Sequence, residues 1–297
     1  MIGALVLAIA VGCILVFNPL NTGAGKFSLA TEFPEALESC TFYRVVPANV
    51  TGERVHEIAG RFGLSGEVSE RSGEFRLIDT SKDPEEWLSV YAHSGAVAYH
   101  IPDRELPTEV TRQPNLPADV EAEGIALAFL EKTGMQSLDA RVVEIGVNQR
   151  HEVWGTGGSE PEASYDVTVA VRFGRSLGGL PVYGDEFVVV IGDDGEVVGL
   201  VKTWREVEPA GDVAVIPPEE AYADLLASKT VLPSSSATYD RITIEDVSLG
   251  YWMAPRDVMQ DAVLPVYAFS GTAVRDGAPE PYVGYVSARG DGPEEGA

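Results

Sequence analysis

Residues 180–201 read LPVYGDEFVVVIGDDGEVVGLV, and this stretch decides how the fold is interpreted. Two valine-rich runs flank Asp194-Gly195, a dipeptide that favours the tight turn of a β-hairpin. The stretch therefore predicts two antiparallel strands, at 180–191 and 196–201. Alternating apolar and polar residues predict two earlier strands at 141–148 and 165–173, so this part of the chain is expected to form an antiparallel sheet.

Three predicted helices are each followed by a run of predicted strands. The helices span 51–62, 118–132 and 217–228. The strands outside 141–201 span 74–79, 88–93, 96–101, 241–251, 263–270 and 282–288. This recurring order predicts an α+β fold of repeated units, each with a helix packed on one face of an antiparallel sheet.

The N-terminus carries a separate signal. Residues 1–25 have no charged side chain, and Met1 to Phe17 form an unbroken run of apolar or small residues. Because about 20 apolar residues cross a bilayer as a helix, the segment predicts one transmembrane helix and a linker. A cleaved signal peptide, which would leave a secreted protein, and a lipid anchor at Cys13 are alternatives. All three place residues from about 26 onward outside the cell, so the predicted location is the cytoplasmic membrane.

Prolines at positions 102, 107, 114 and 117 indicate a linker behind the first lobe. The predicted organisation has five parts. They are a membrane anchor or signal segment with linker at 1–25, an α+β lobe at 26–110, helix-plus-sheet units at 116–210 and 211–290, and a disordered tail at 291–297.

Charge excludes one class of partner. The chain has 46 acidic and 21 basic residues and a net charge of -25, whereas binding to a nucleic-acid backbone requires clustered lysine and arginine. The acidic excess has two explanations. It is a solubility adaptation of a salt-tolerant or high-GC organism, or it attracts a basic partner or cations.

The motif GLPVYG at 179–184, the strand at 187–190, the Asp194-Gly195 turn and Val197 resemble a PepSY-type module. Such modules are helix-plus-antiparallel-sheet units of protease propeptides and exported regulators. The anchor followed by a helix at 217–226 and strands at 242–251 and 264–269 is similar to the YycH and YycI family of membrane-anchored regulators of a sensor kinase. Both resemblances imply protein binding or inhibition outside the membrane, without catalytic residues to carry over.

The residues that carry common chemistries do not form recognisable motifs. The four histidines, at positions 56, 93, 100 and 151, have no metal-ligand spacing, and the chain lacks nucleophile-elbow and phosphate-loop motifs. Asp193-Asp194 lacks the further ligand positions that calcium requires, so it predicts a turn. The sequence predicts no catalytic residue, no metal site and no cofactor, and the protein is interpreted as a non-enzyme.

Aromatic residues provide the one candidate for a binding surface. Tyr251, Trp252 and Met253 at a strand end, together with Tyr267, would suit a protein interface if they were exposed, although packing in a sheet is the ordinary role of such residues. The predicted function is a membrane-tethered extracytoplasmic binding or regulatory module whose partner is another envelope or membrane protein. A structural envelope protein and an enzyme with an unrecognised site are the alternatives.

Overall fold

The computed structural model describes residues 26–154, 159–231 and 239–290. Strands account for 47% of these residues and helices for 16%, so sheets dominate this part of the chain. The predicted membrane helix within 1–25 and the predicted tail at 291–297 lie outside the described residues. Among the helices that are described, none combines the length and the apolar character needed to cross a bilayer.

The described residues form four α-helices, one 3-10 turn at Asp193–Gly195 and seventeen strands. The helices are α1 (Gly52–Arg61), α2 (Pro102–Glu105), α3 (Asp119–Thr133) and α4 (Pro218–Leu226). The strands are β1 (Phe27–Leu29), β2 (Ser39–Val45), β3 (Val68–Arg71), β4 (Glu74–Asp79), β5 (Glu86–Tyr91), β6 (Val97–His100), β7 (Arg141–Val153), β8 (Ala163–Gly174), β9 (Ser176–Leu177), β10 (Leu180–Tyr183), β11 (Glu186–Ile191), β12 (Val197–Thr203), β13 (Val207–Ala214), β14 (Arg241–Trp252), β15 (Ala262–Val263), β16 (Pro265–Arg275) and β17 (Ala278–Ser287).

Local sequence explains the ends of the two longest helices. Thr51 precedes α1, and its side-chain oxygen accepts a hydrogen bond from the backbone N–H of Arg54, which satisfies one of the free donors of the first turn. Gly134 ends α3 in the left-handed conformation, with φ of 67°, which glycine adopts without the steric cost of a Cβ. Both predicted helices, 51–62 and 118–132, are thereby confirmed.

The chain divides into two compact units. Among the described residues, the first unit comprises 26–35, 218–231, 239–248 and 268–286, and the second comprises 36–154, 159–217, 249–267 and 287–290. These units do not follow the predicted segments 26–110, 116–210 and 211–290. Strands β14, β16 and β17 each contribute residues to both units.

The second unit is built on an eight-stranded sheet in the order β3-β4-β5-β6-β12-β11-β8-β7. All of its described pairings are antiparallel, and the hairpin predicted around Asp194-Gly195 is confirmed as β11–β12. Its first strand begins at Glu186 rather than at Leu180, because residues 180–183 form β10, which pairs with β9 and β14 instead. Apolar side chains of α1 and α3 pack against this sheet in one large core, which includes Val55, Leu130, Val171, Val189 and Leu200. Burial of side chains of this size is the main stabilising contribution to such a unit.

A smaller sheet in the same unit has the order β13-β2-β15, with β2 antiparallel to both neighbours. In the same unit, β10 pairs in parallel with the end of β14, in the register Val182 to Tyr251 and Tyr183 to Trp252.

The first unit contains α4, β1 and parts of β14, β16 and β17, with β16 between the other two long strands. Strand β1 pairs in parallel with the start of β14, and Phe27 lies opposite Ile242. Strands β16 and β14 approach so closely that a Cβ added at Gly271 of β16 would lie 2.0 Å from the carbonyl oxygen of Thr243 of β14.

The predicted fold class, repeated α+β units each with a helix on one face of an antiparallel sheet, is wrong for the described residues. Helices are few, and strands of the predicted segments 26–110 and 116–210 join in one sheet through the pairing of β6 with β12, in which Tyr99 lies opposite Leu200. The physical reason is that alternation identifies the two faces of a strand but not its neighbour. Pairing partners depend on contacts that are distant in sequence.

Candidate functional site

Three of the four residues predicted to bind a partner are buried. Tyr251, Met253 and Tyr267 are inaccessible to solvent, so the structure corrects the expectation of an exposed aromatic and methionine cluster. Tyr251 packs edge-on against Tyr43 and donates a hydrogen bond to the carbonyl oxygen of Thr41 at 2.5 Å. Burial raises the pKa of its phenol. Tyr251 and Met253 form a buried cluster with Tyr43 and Val45 of β2, a contact between distant segments that local sequence does not reveal.

Trp252 lies on the same strand and is half-buried. Its ring lies against Gly184, where an added Cβ would be 3.1 Å from Cζ3 of the indole. Tyr267 donates a hydrogen bond to the carbonyl oxygen of Ile216 at 3.1 Å and is not part of the buried cluster that holds Tyr251 and Met253. Only Trp252 of the four therefore offers accessible surface, and a role for it in binding stays a prediction.

A stronger candidate surface lies at the free edge of the eight-stranded sheet. Strand β7 is the last strand of the sheet, and no other strand of the described chain pairs with its outer side. It is 13 residues long, and its exposed apolar side chains include Val143, Val147 and Val153. A long edge with unpaired backbone groups and apolar side chains is a template for a further strand.

Irregular pairing gives β7 its unusual surface. The register with β8 skips Val143 and Asn148, so that two residues of β7 oppose one residue of β8 at each place. Each bulge interrupts the alternation of inward and outward side chains. Val142 and Ile145 pack against the core, whereas Val143 is 63% exposed.

Beyond the sheet, β7 and β8 continue as a two-stranded arm. Strand β11 pairs with β8 only from Val169 to Arg172, while β7 pairs with β8 as far as Val153 opposite Ala163. Arg150 Nε donates a hydrogen bond to Asp166 Oδ1 at 2.7 Å, and this carboxylate raises the pKa of Arg150. The next residue after β7 is Trp154, which is 53% exposed.

The sequence contains a signal for this surface that the strand prediction did not use. Apolar residues occur at 142, 143, 145, 147, 153 and 154. Consecutive valines at 142 and 143 cannot both face inward in a regular strand. Two adjacent apolar residues on a strand therefore indicate either a bulge or an exposed apolar side chain.

The structure also shows the surroundings of His100 and of the predicted turn at Asp193-Asp194. His100 Nδ1 lies 2.6 Å from Glu105 Oε2, and across the described parts of the chain no three histidine, cysteine or carboxylate side chains are grouped to hold a metal ion. Asp193 forms an ion pair with Arg112 and accepts a hydrogen bond from the backbone N–H of Asn115 at 2.7 Å; these contacts lower its pKa. The Asp193 carboxylate is thus engaged by protein donors.

Residues 164–202, which run from β8 to β12, match the family described as the Fungalysin/Thermolysin Propeptide Motif. This motif is related to PepSY-type domains, so the predicted relationship of this region to PepSY-type modules is confirmed. The match covers far less than half of the chain. No curated protein matches the chain.

Two solved structures are similar to the chain at low identity. One is an uncharacterized protein from Eubacterium rectale, with 9% identity, a TM-score of 0.49 and coverage of 89% of each chain. The other is YycH from Bacillus subtilis, with 12% identity and a TM-score of 0.35, covering 84% of this chain and 53% of that one.

Proposed function

We propose that the protein is a membrane-tethered, extracytoplasmic binding module that holds a partner protein by strand addition along β7, without catalysis. In this mode, an extended segment of the partner pairs its backbone with the free edge, and side-chain pockets or apolar contacts select the segment. The partner is another envelope or membrane protein. The observation that carries the proposal is the 13-residue free edge of β7 with its exposed valines.

Two features of the edge favour a real interface. Strand β7 is long and carries exposed apolar residues, and between its two bulges residues 144–147 pair regularly with β8, which leaves the outer edge of that stretch open to a further strand. Trp154 follows the strand directly, and exposed tryptophan is the residue type most enriched among side chains that dominate binding energy. The charges along β7, which include Arg141, Glu144 and Arg150, are of mixed sign, so backbone pairing would provide affinity and apolar contact the selectivity.

The match of residues 164–202 to a propeptide motif supports binding over catalysis. A propeptide acts through contact with the enzyme that it accompanies. The matched segment contains β8, the strand that positions β7 at the edge of the sheet. An exported protease is accordingly one class of partner within the proposal.

The proposed location rests on residues 1–25, which carry no charged side chain. A single membrane helix there would keep the binding units at the outer surface of the cytoplasmic membrane. Added protease should then cleave the protein in intact spheroplasts. Complete protection would contradict the external location.

Site-specific photo-crosslinking in the native membrane tests the binding mode. A photoreactive phenylalanine derivative at the position of Val147 should yield a discrete crosslinked partner. The matched control is Ile78, which has a similar exposed fraction on β4, a strand paired on both sides. Crosslinking from 78 but not from 147 would contradict the proposal.

The two alternative functions predict different results in the same experiment. A structural envelope protein would form contacts from several faces, including position 78, with abundant envelope components. An enzyme with an unrecognised site would form no stable crosslink at β7 and would require a pocket of converging titratable groups. A single partner crosslinked from β7 favours the binding module.

A further inference from the structure

A polar cleft in the second unit has a charge opposite to that of the protein as a whole. Its volume is about 390 Å³, and it lies among α1, the turn between β5 and β6, and the end of β12. Three cations, Arg54, Arg61 and Lys202, line it together with one carboxylate, Glu206. The whole chain has 46 acidic against 21 basic residues, so a cleft with three bases and one acid is a local reversal. Such a concentration of positive charge attracts anions.

Two of these cations converge on the end of α3. Lys202 Nζ donates a hydrogen bond to the carbonyl oxygen of Met135 at 2.6 Å. Arg61 Nη1 lies 3.1 Å from the position that a Cβ would take at the adjacent Gly134. Within the described chain, neither cation forms an ion pair with a carboxylate, whereas Arg54 pairs with Glu57 at 2.6 Å.

The cleft also has an apolar lining. Ile58, Val90, Val97 and Met135 contribute to it, and each of these side chains is otherwise buried. Trp204 adds an aromatic surface next to Lys202. A pocket of roughly 300 to 1,000 Å³ with apolar walls and a few polar groups has the dimensions of a small-ligand site.

We propose that this cleft binds a carboxylate attached to an apolar group, as found in a peptide C-terminus or a free short-chain acid. The carboxylate would accept hydrogen bonds from Arg61 and Lys202, and the apolar group would lie against Ile58, Val90 and Met135. Arginine suits this ligand because its planar guanidinium can donate two parallel hydrogen bonds to a carboxylate. The proposal is independent of the β7 edge.

The environment of Lys202 supports the assignment. Its ammonium lies 5.0 Å from the centre of the Phe187 ring, and burial lowers its pKa to about 8. The group is therefore still charged at pH 7 but has lost much of its hydration. A partly desolvated cation interacts more strongly with an anion than a fully hydrated surface lysine does.

Isothermal titration of the purified full-length protein tests the proposal with four probes. They are N-acetyl-leucyl-phenylalanine as the free acid, the same peptide as its C-terminal amide, hexanoate and inorganic phosphate. The free acid should bind about tenfold or more tightly than the amide, because the amide lacks the charge-assisted hydrogen bonds. Tighter binding of the peptide acid than of hexanoate assigns the site to chain termini, and equal binding assigns it to free acids.

Matched variants separate the site from general charge effects. Arg61→Gln and Lys202→Met should each weaken binding of the peptide acid about tenfold. Arg71→Gln, an exposed arginine on β3 outside the cleft, removes the same charge and should leave binding unchanged. If Lys202→Met fails to fold, Arg61→Gln decides by itself, because the Arg61 side chain is exposed. Arg54→Gln, which removes a guanidinium paired with Glu57, should then have a smaller effect than Arg61→Gln. Equal binding of acid and amide, equally tight binding of phosphate, or no effect of Arg61→Gln would overturn the proposal.

Discussion

Arg175 and Asp185 form an ion pair whose side chains are 3% and 2% exposed, with Arg175 Nε 2.7 Å from Asp185 Oδ2. Arg175 also donates a hydrogen bond to the carbonyl oxygen of Arg205 at 2.9 Å. Arg205 is itself buried and donates to the carbonyl oxygens of Ala254 and Pro255 at 2.6 and 2.9 Å. The chain of contacts links the start of β11 to the segment after β12 and to the turn after β14.

Loss of this buried pair should destabilise the protein strongly. Asp185→Ala leaves the buried Arg175 with only the half-exposed Asp139, 3.5 Å away, as a carboxylate partner. Removal of one partner of a buried pair costs about 3–5 kcal/mol. Glu208→Ala, which removes an exposed partner of Arg44, should change the unfolding free energy by less than about 1 kcal/mol. Urea unfolding measures both values. Similar stabilities for the two variants would contradict a structural role for the Arg175–Asp185 pair.

A second prediction concerns pH. The buried Asp79 carboxylate accepts hydrogen bonds from Ser81 and from the backbone N–H of Ser65 at 2.8 Å, and these donors lower its pKa from 3.8 to about 2. Because the folded-state pKa is the lower one, the ionised group stabilises the fold above pH 4, and this contribution is lost as the pH falls towards 2. The stability difference between the wild type and Asp79→Ala should therefore shrink over that interval in urea unfolding. A difference that stays constant from pH 7 to pH 2 would argue against the ionised carboxylate as its source.

Two glycines should respond in opposite directions to alanine. At Gly271 a Cβ would lie 2.0 Å from the Thr243 carbonyl oxygen and 2.9 Å from the Glu245 nitrogen, so Gly271→Ala should destabilise by about 1–3 kcal/mol. At Gly124, within α3, nothing lies within 4 Å, and Gly124→Ala should stabilise by about 0.5–1 kcal/mol. Calorimetric melting temperatures provide the comparison. A neutral Gly271→Ala variant would mean that β14 and β16 are less closely packed than described here.

A further prediction concerns the affinity of the β7 edge for the partner protein. Trp154→Ala should weaken capture of the partner about tenfold or more, because exposed interface tryptophans contribute about 2 kcal/mol or more to binding. Val147→Ala should weaken it by a smaller factor, and Ile78→Ala should have no effect. All three melting temperatures should stay close to that of the wild type, since these side chains are largely exposed. Binding that is unchanged in Trp154→Ala would remove this residue from the interface.

Local features of the fold could be predicted from sequence. The hairpin at Asp194-Gly195 and the helix that ends before Gly134 both depend on residues adjacent in the chain, through turn chemistry and capping. Two strand pairings could not be predicted from sequence, because each joins distant segments of the chain. They are β6 with β12, about 100 residues apart, and β10 with β14, about 70 residues apart. The burial of Tyr251 could not be predicted for the same reason. Its burial depends on β2, some 200 residues earlier in the chain.

Hydrogen exchange of the backbone amides, in the presence and absence of the crosslink-identified partner, tests the central claim most directly. The account predicts that exchange slows in residues 141–154, where β7 would gain a neighbouring strand, while β4, already paired on both sides, stays unchanged. Protection confined to other strands, with β7 exchanging at the same rate in both states, would contradict strand addition at this edge.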